Sequence, residues 1–153
     1  MRGTRRITLA LICAVAFGAL VAGCGGSAYT RQDFVTRADA ICAGALRQAR
    51  SITPGAALPD YLARFVPVLE SEVSELQGLR RPPDTARARA TLDRYFAALK
   101  NTVTEYRQLL AAARGGDQDA VSNAEAALGS SPVYSLATSY GLSSCGTPGS
   151  TAV

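Results

Sequence analysis

The sequence predicts an all-α protein: an antiparallel four-helix up-down bundle with a broken fourth helix and one disulfide. Three observations support this fold. Apolar residues recur at spacings of three and four along four segments, which is the period of an amphipathic helix. The connections between these segments are short and contain Pro and Gly. No segment shows the apolar–polar alternation that is typical of a half-buried strand.

The first two helices have clear starting signals. Thr30 followed by Asp33 forms a capping box. The apolar face of this helix comprises Phe34, Ala38, Ile41, Ala45 and Ala49. The second helix is expected to begin at Pro59 and to run to about Leu79. Its apolar face comprises Leu62, Val66, Leu69, Val73 and Leu76. Pro67 lies inside this pattern and is expected to kink or interrupt the helix, because proline has no backbone N–H.

The third and fourth helices follow a Pro-Pro stop at residues 82–83. Asp84 is expected to cap the third helix. The apolar face of that helix is the most regular in the chain and comprises Leu92, Phe96, Leu99, Val103, Tyr106, Leu110 and Ala113. Residues 114–117, Arg-Gly-Gly-Asp, end it and cap the fourth helix. Gly-Ser-Ser-Pro at residues 129–132 breaks the fourth helix, and Gly141 is expected to end it in the left-handed conformation.

The N-terminus has the features of an export signal. Arg2, Arg5 and Arg6 precede an apolar run at residues 7–22, which is shorter than the roughly 20 residues of a spanning helix. Leu-Val-Ala-Gly-Cys at residues 20–24 resembles the bacterial lipobox, in which the cysteine receives diacylglycerol and the peptide is cut just before it. The resemblance implies lipidation at Cys24 and anchoring to the extracytoplasmic face of a membrane. The alternative is an uncleaved short membrane helix, and Sec or twin-arginine export stays open.

These features divide the chain into four parts. Residues 1–23 are the expected lipoprotein signal peptide, 24–30 a lipidated tether, 31–145 the helical bundle and 146–153 a disordered tail. Removal of the signal takes three arginines from the 16 basic residues and leaves 13 against 12 acidic residues. The mature charges are interspersed along the chain, whereas a nucleic-acid-binding protein presents a concentrated basic surface. Nucleic acid is therefore not an expected partner.

Two of the four cysteines remain for pairing. Cys13 leaves with the signal and Cys24 carries lipid, so Cys42 and Cys145 are left in an oxidising compartment and are expected to form a disulfide. Two separate buried thiols are the alternative. In an up-down bundle the fourth helix ends beside the start of the first, yet Cys42 lies about three turns into the first helix. Either those first turns project beyond the bundle, or residues 143–145 fold back along the helix; the second arrangement is favoured.

A family resemblance covers nearly the whole mature domain. The residues that carry it are Phe34-Val35, Ala38-Asp39-Ala40-Ile41-Cys42, Leu76 and Leu79 before Pro82-Pro83, and Tyr140-Gly141-Leu142 with Cys145-Gly146. This pattern resembles a recurring group of small Ala-rich secreted or lipid-anchored proteins from actinobacteria. The resemblance implies the helical fold and the cysteine pairing, and it implies no activity. The break at residues 129–132 departs from the continuous fourth helix of that group.

The absence of histidine from the sequence excludes several kinds of chemistry. Ser-His-Asp and Cys-His catalysis, zinc binding by imidazole and histidine-ligated haem are impossible, and two thiols are too few for an all-cysteine zinc site. No cofactor or metal is expected. The remaining titratable candidates are carboxylates that fall off the apolar faces: Glu70, Glu72, Glu75, Asp93 and Glu105. A solvated helix face is the favoured interpretation, and an acid–base pair in a cleft is the alternative.

Other polar residues have structural interpretations that we favour. Arg80 and Arg81 are expected to complement the dipole of the second helix, with an anion site as the alternative. Tyr106 and Tyr140 lie on apolar faces and are expected in the core with their hydroxyls at its rim. Core or boundary packing is expected for the remaining tyrosines too, although Tyr61 and Tyr95 lie beside the apolar faces and could form part of a partner surface.

Three functions are compatible with the sequence. The favoured one is a non-enzymatic, membrane-anchored binding or structural module of the cell envelope, which contacts an envelope protein or a small ligand. The second is a carrier of a small apolar ligand, which requires an internal cavity of at least a few hundred Å3. The third is a histidine-free hydrolase, which requires two carboxylates converging in a cleft. The sequence does not determine an oligomeric state.

Overall fold

The computed structural model describes residues 28–52 and 55–147. Those residues form only helices and connections, in the order α1 (Arg31–Arg50), α2 (Leu58–Gly78), α3 (Ala86–Gly115), α4 (Gln118–Gly129) and α5 (Val133–Tyr140). Segments α4 and α5 together are the predicted fourth helix, which is interrupted at residues 130–132. The predicted four-helix up-down bundle with a broken fourth helix is therefore confirmed. The expected signal peptide, Cys24 and residues 148–153 of the expected tail lie outside the described residues.

Most predicted helix ends are confirmed by their capping contacts. The Thr30 hydroxyl accepts from the Asp33 N–H at 3.2 Å, and the Asp33 carboxylate accepts from the Thr30 N–H at 2.8 Å, which is the reciprocal pattern of a capping box. Asp117 caps α4 by accepting from the Ala120 N–H at 3.0 Å. Gly141 ends α5 at a φ of 102°, a backbone conformation that glycine adopts without steric cost.

Two expectations about the helix ends and interiors are wrong. Thr85, one residue beyond Asp84, caps α3 by accepting from the Ala88 N–H at 3.2 Å. Asp84 instead accepts a 2.5 Å hydrogen bond from the hydroxyl of Tyr140, which lies 56 residues away in sequence. Pro67 does not interrupt α2, which is helical on both sides of it. Its ring is exposed, so solvent has access to the backbone that proline leaves without a helical partner.

Helix α3 is the centre of the bundle because it packs against α2, α4 and α5. Its buried surface is accordingly wider than the narrow apolar stripe that the sequence shows, and it includes Tyr95, Ala98, Thr102, Leu109 and Ala112. Thr102 is the buried polar residue of this core. Its hydroxyl donates to the Ala98 carbonyl at 3.1 Å and lies 3.0 Å from the Ser131 hydroxyl, which fixes the break of the fourth helix against α3.

The side of the bundle between α5 and α1 is closed by rings and by the chain that follows α5. The Phe34 and Tyr140 rings meet edge to face with their centroids 5.8 Å apart. Arg31 donates a hydrogen bond to the Tyr140 carbonyl, and its guanidinium lies 4.5 Å from the centre of the Tyr140 ring. Leu142 is buried beyond Gly141. The end of α5 therefore lies beside the start of α1, as the up-down topology requires.

Candidate functional site

A disulfide joins Cys42 on α1 to Cys145 beyond α5, as predicted, with the two Cα atoms 5.1 Å apart. The chain reaches this point by turning after Gly141 and running back along α1. Asp39, one turn before Cys42, receives that chain. Its carboxylate accepts from the Ser143 hydroxyl at 2.7 Å and from the backbone N–H groups of residues 143, 144 and 145 at 3.1, 2.8 and 3.4 Å.

We call residues 142–147, together with their contacts to Asp39 and Cys42, the C-terminal clamp. Its course decides between the two arrangements that the sequence left open, because residues 143–145 fold back along α1. The clamp also extends past the predicted end of the bundle at Cys145. The Thr147 hydroxyl donates to the Ser143 carbonyl at 2.9 Å, and the Gly146 backbone packs closely against Thr138 and Leu142. Sequence reasoning missed Asp39, because its partners are more than 100 residues away.

A small cavity lies beside the disulfide, between α1, α2, α3 and α5. It is nearly enclosed, has a volume of about 30 Å3, and is lined by groups that include Glu72, Tyr95, Thr102 and Ser144. A space of this size holds one or two water molecules. The prediction that Glu72 belongs to a solvated helix face is wrong, because α1 and α5 cover a wider arc of α2 and α3 than the apolar stripes indicate.

The burial of Glu72 changes its acidity. Removal from water, with a smaller contribution from the neighbouring Glu75 carboxylate, raises the pKa of Glu72 from 4.5 to about 7. Tyr95 is fully buried, contrary to a role in a partner surface. Burial raises the pKa of its phenol, and the negative charges of Glu72 and Asp39 raise it further. The cavity therefore holds two acids that favour their neutral forms.

The other predicted carboxylates are dispersed over the bundle. Glu70 accepts from Arg107 at 2.7 Å across α2 and α3, and Asp93 pairs with Arg81 at 3.5 Å on an exposed surface. Glu75 is exposed and accepts from the Ser71 hydroxyl. These three are solvated surface groups, as predicted. Asp39 is the carboxylate that acts with Glu72 on Tyr95, and its oxygens are already occupied by the C-terminal clamp.

The arginines and tyrosines near the start of α1 form aromatic contacts. Arg80 lies beyond the end of α2, and its guanidinium is 5.5 Å from the centre of the Tyr29 ring, the same distance as that of Arg37. Arg81 lies 4.3 Å from the centre of the Phe96 ring. Arg80 and Arg81 therefore pack on rings and do not cap the α2 C-terminus. Tyr106 and Tyr140 are buried, as predicted.

An open groove lies where the fourth helix is broken. Pro132 has no N–H to continue α4, and the turn at residues 130–132 sets α5 off from α4. The groove between them and α3 has a volume of about 360 Å3. Its lining is mainly small and apolar, with a few polar groups: Arg94, Ala97, Ala98, Asn101, Glu105, Ala127, Ser130, Ser131, Pro132 and Leu136. We call this surface the break groove.

Glu105 is the unusual member of the break groove. Its side chain is half-buried, and its Oε2 atom is removed from solvent without a hydrogen-bond partner among the described residues. No Arg or Lys of the described chain forms an ion pair with it. Buried carboxylate oxygens in native proteins almost always accept a hydrogen bond. Sequence reasoning named Glu105 but assigned it to a solvated face, which is wrong for this oxygen.

Other kinds of site were sought in the described part of the chain. Residues 28–52 and 55–147 contain no group of three or more acidic or thiol side chains arranged to hold a metal ion. None of the helices in these ranges combines the length and the apolar character needed to cross a membrane. No protein-family model, curated protein or solved structure matches the chain. Fold and site define a disulfide-clamped helical bundle with one open groove at its helix break.

Proposed function

We propose that the protein is a membrane-anchored extracytoplasmic lipoprotein whose bundle is a non-enzymatic binding module of the cell envelope. The observation that carries the proposal is the disulfide between Cys42 and Cys145. Structural disulfides form and persist in oxidising compartments outside the cytoplasm. This location agrees with the resemblance of residues 20–24 to a lipobox.

The binding role is supported by the shape of the surface. The break groove is open to solvent and combines small apolar residues with a few polar groups, which is the composition of a recognition site. By contrast, the space beside the disulfide is only about 30 Å3, far below what an apolar ligand requires. A hydrolase would need a second carboxylate free to act beside Glu72, and Asp39 accepts four hydrogen bonds from the clamp.

Intact mass spectrometry of protein purified from its native membrane tests the address. We expect a mass that lacks residues 1–23 and carries diacylglyceryl, and alkylation of Cys42 and Cys145 only after reduction. The variant Cys24→Ala should retain the signal and lack lipid. Cys13→Ala should be processed as the wild type is, because Cys13 is removed with the signal. A full-length, unlipidated wild-type chain with freely alkylated thiols would overturn the proposal.

A further inference from the structure

The break groove contains an unmet demand for a hydrogen-bond donor. The Oε2 atom of Glu105 is buried and accepts no hydrogen bond from the described chain. Leaving a buried charged acceptor unpaired costs more free energy than leaving a neutral one. A residue in that state has a cost to the fold, which is a common property of groups that are kept for binding.

The surroundings of Glu105 limit what the donor can be. Ala97, Ala98 and Leu136 form an apolar surface in the same groove, and Asn101 and Ser131 add neutral polar groups. A cationic N–H donor attached to a short aliphatic body matches this lining, because the charge faces the carboxylate and the chain covers the alanines. The Arg94 guanidinium is at hand in the groove, but it donates to the Ala90 carbonyl and the Thr91 hydroxyl.

We propose that the break groove is a binding site for a small alkylammonium compound, with the Glu105 carboxylate accepting from the ammonium group. This proposal deepens the binding role proposed above, and it does not depend on lipidation. The Thr102–Ser131 contact holds the turn at residues 130–132 in place, so the groove is formed before a ligand arrives. A preformed groove lowers the entropic cost of binding.

The test is an NMR titration of the purified full-length chain at pH 7 with n-butylammonium, which is protonated at this pH. We expect saturable shifts of the Ala97, Ala98 and Leu136 amides, with a dissociation constant on the order of 1 mM for so small a ligand. n-Butanol, which has the same chain without the charge, should bind at least about tenfold more weakly.

Two variants assign the effect to the carboxylate. Glu105→Gln keeps the shape of the side chain and removes its charge, and it should weaken butylammonium binding about tenfold or more. Glu125→Gln is the matched control, because Glu125 is exposed on α4 outside the groove lining, and it should bind as the wild type does. Equal binding by the wild type and Glu105→Gln, or shifts confined to another surface, would overturn the proposal.

A stability measurement tests the premise independently of any ligand. Replacing the unpaired carboxylate by an apolar side chain in Glu105→Met should raise Tm by roughly 3–6 °C, whereas Glu125→Met should leave Tm within about 2 °C. An unchanged Tm in Glu105→Met would mean that water already satisfies the oxygen, and it would overturn the proposal.

The outcomes also separate the ligand from its protein-borne counterpart. Binding of an acetylated lysine-containing tripeptide without binding of butylammonium would identify a partner protein's side chain as the occupant and refute the small-ligand proposal. The mass spectrum answers a different question. A lipidated chain that fails to bind butylammonium refutes only the ligand, and an unlipidated chain that binds it refutes only the anchor.

Discussion

Glu72 shows how a single residue can depart from the pattern around it. Its position beside the apolar stripe of α2 is that of a solvated residue, and its neighbours Glu70 and Glu75 follow that rule. What differs is the cover provided by α1 and α5, together with Tyr95 from α3. Because that cover comes from residues distant in sequence, neither the periodicity nor the composition of α2 could indicate it.

The raised pKa of Glu72 predicts a pH-dependent stability. The folded protein holds the Glu72 proton up to about pH 7, whereas the unfolded chain releases it near 4.5. Stability from this difference is therefore fully present below about pH 4.5 and is lost as the pH rises to 7. The total is at most about 3 kcal/mol, since one pKa unit corresponds to roughly 1.4 kcal/mol. Tyr95 does not titrate in this window, because the pKa of its phenol is raised above its ordinary value.

Urea unfolding of Glu72→Gln at pH 4 and pH 8 measures this contribution. The variant should lose less stability between the two pH values than the wild type, by up to about 3 kcal/mol. Glu125→Gln, with its exposed site, should lose as much as the wild type. Identical pH dependence in the wild type and Glu72→Gln would show that Glu72 is ionised normally in the folded protein.

The helices themselves were largely predictable, because their signals are local. The capping box at residues 30–33, the cap at Asp117 and the left-handed Gly141 each depend on residues within a few positions of one another. Asp84 was assigned to the wrong role because its actual partner, Tyr140, lies on another helix. The hydrogen bond from Thr102 to Ser131 was likewise not visible as a pattern, although a Thr at a buried helical position needs such a partner.

The C-terminal clamp is the element whose packing is tightest. A Cβ atom on Gly146 would lie 2.4 Å from the Thr138 hydroxyl oxygen and 2.8 Å from the Leu142 carbonyl oxygen. The Leu142 atom belongs to the backbone and cannot rotate away. Gly115, at the end of α3, has no atom within 4 Å of the equivalent position.

This contrast predicts opposite effects of two identical substitutions. Gly146→Ala should destabilise the protein by about 1–3 kcal/mol, because the clamp must shift to admit the methyl group. Gly115→Ala should be neutral or stabilise it by up to about 1 kcal/mol, since alanine is favoured over glycine in a helix. Thermal unfolding of the oxidised variants measures both. A Gly146→Ala protein as stable as the wild type would show that the clamp is loosely packed.

At the scale of the whole molecule, the proposed anchor fixes which end of the bundle approaches the membrane. Four residues separate Cys24 from Ala28, and a fully extended chain of that length spans at most about 14 Å. The start of α1 and the end of α5 therefore lie close to the lipid. Helix α3 has 30 residues and begins at the same end, so its far end lies about 45 Å further away.

Fluorophores attached to Ala86→Cys and Gln118→Cys in vesicle-anchored protein would measure this orientation. Both sites are exposed first residues of helices, at opposite ends of the bundle. Energy transfer to a headgroup-labelled lipid should be strong from residue 86 and weak from residue 118. Equal transfer from both sites would mean that the bundle lies flat on the membrane.

The disulfide also determines how the protein carries tension. A pull between the membrane and anything attached beyond Cys145 would enter through α1, cross the sulfur–sulfur bond and leave at the tail. The loop between Cys42 and Cys145, 103 positions long, lies outside that path. Helices α2 to α5 would bear no load while the bond is intact, whereas its reduction would let the same pull draw out roughly 340–370 Å of chain.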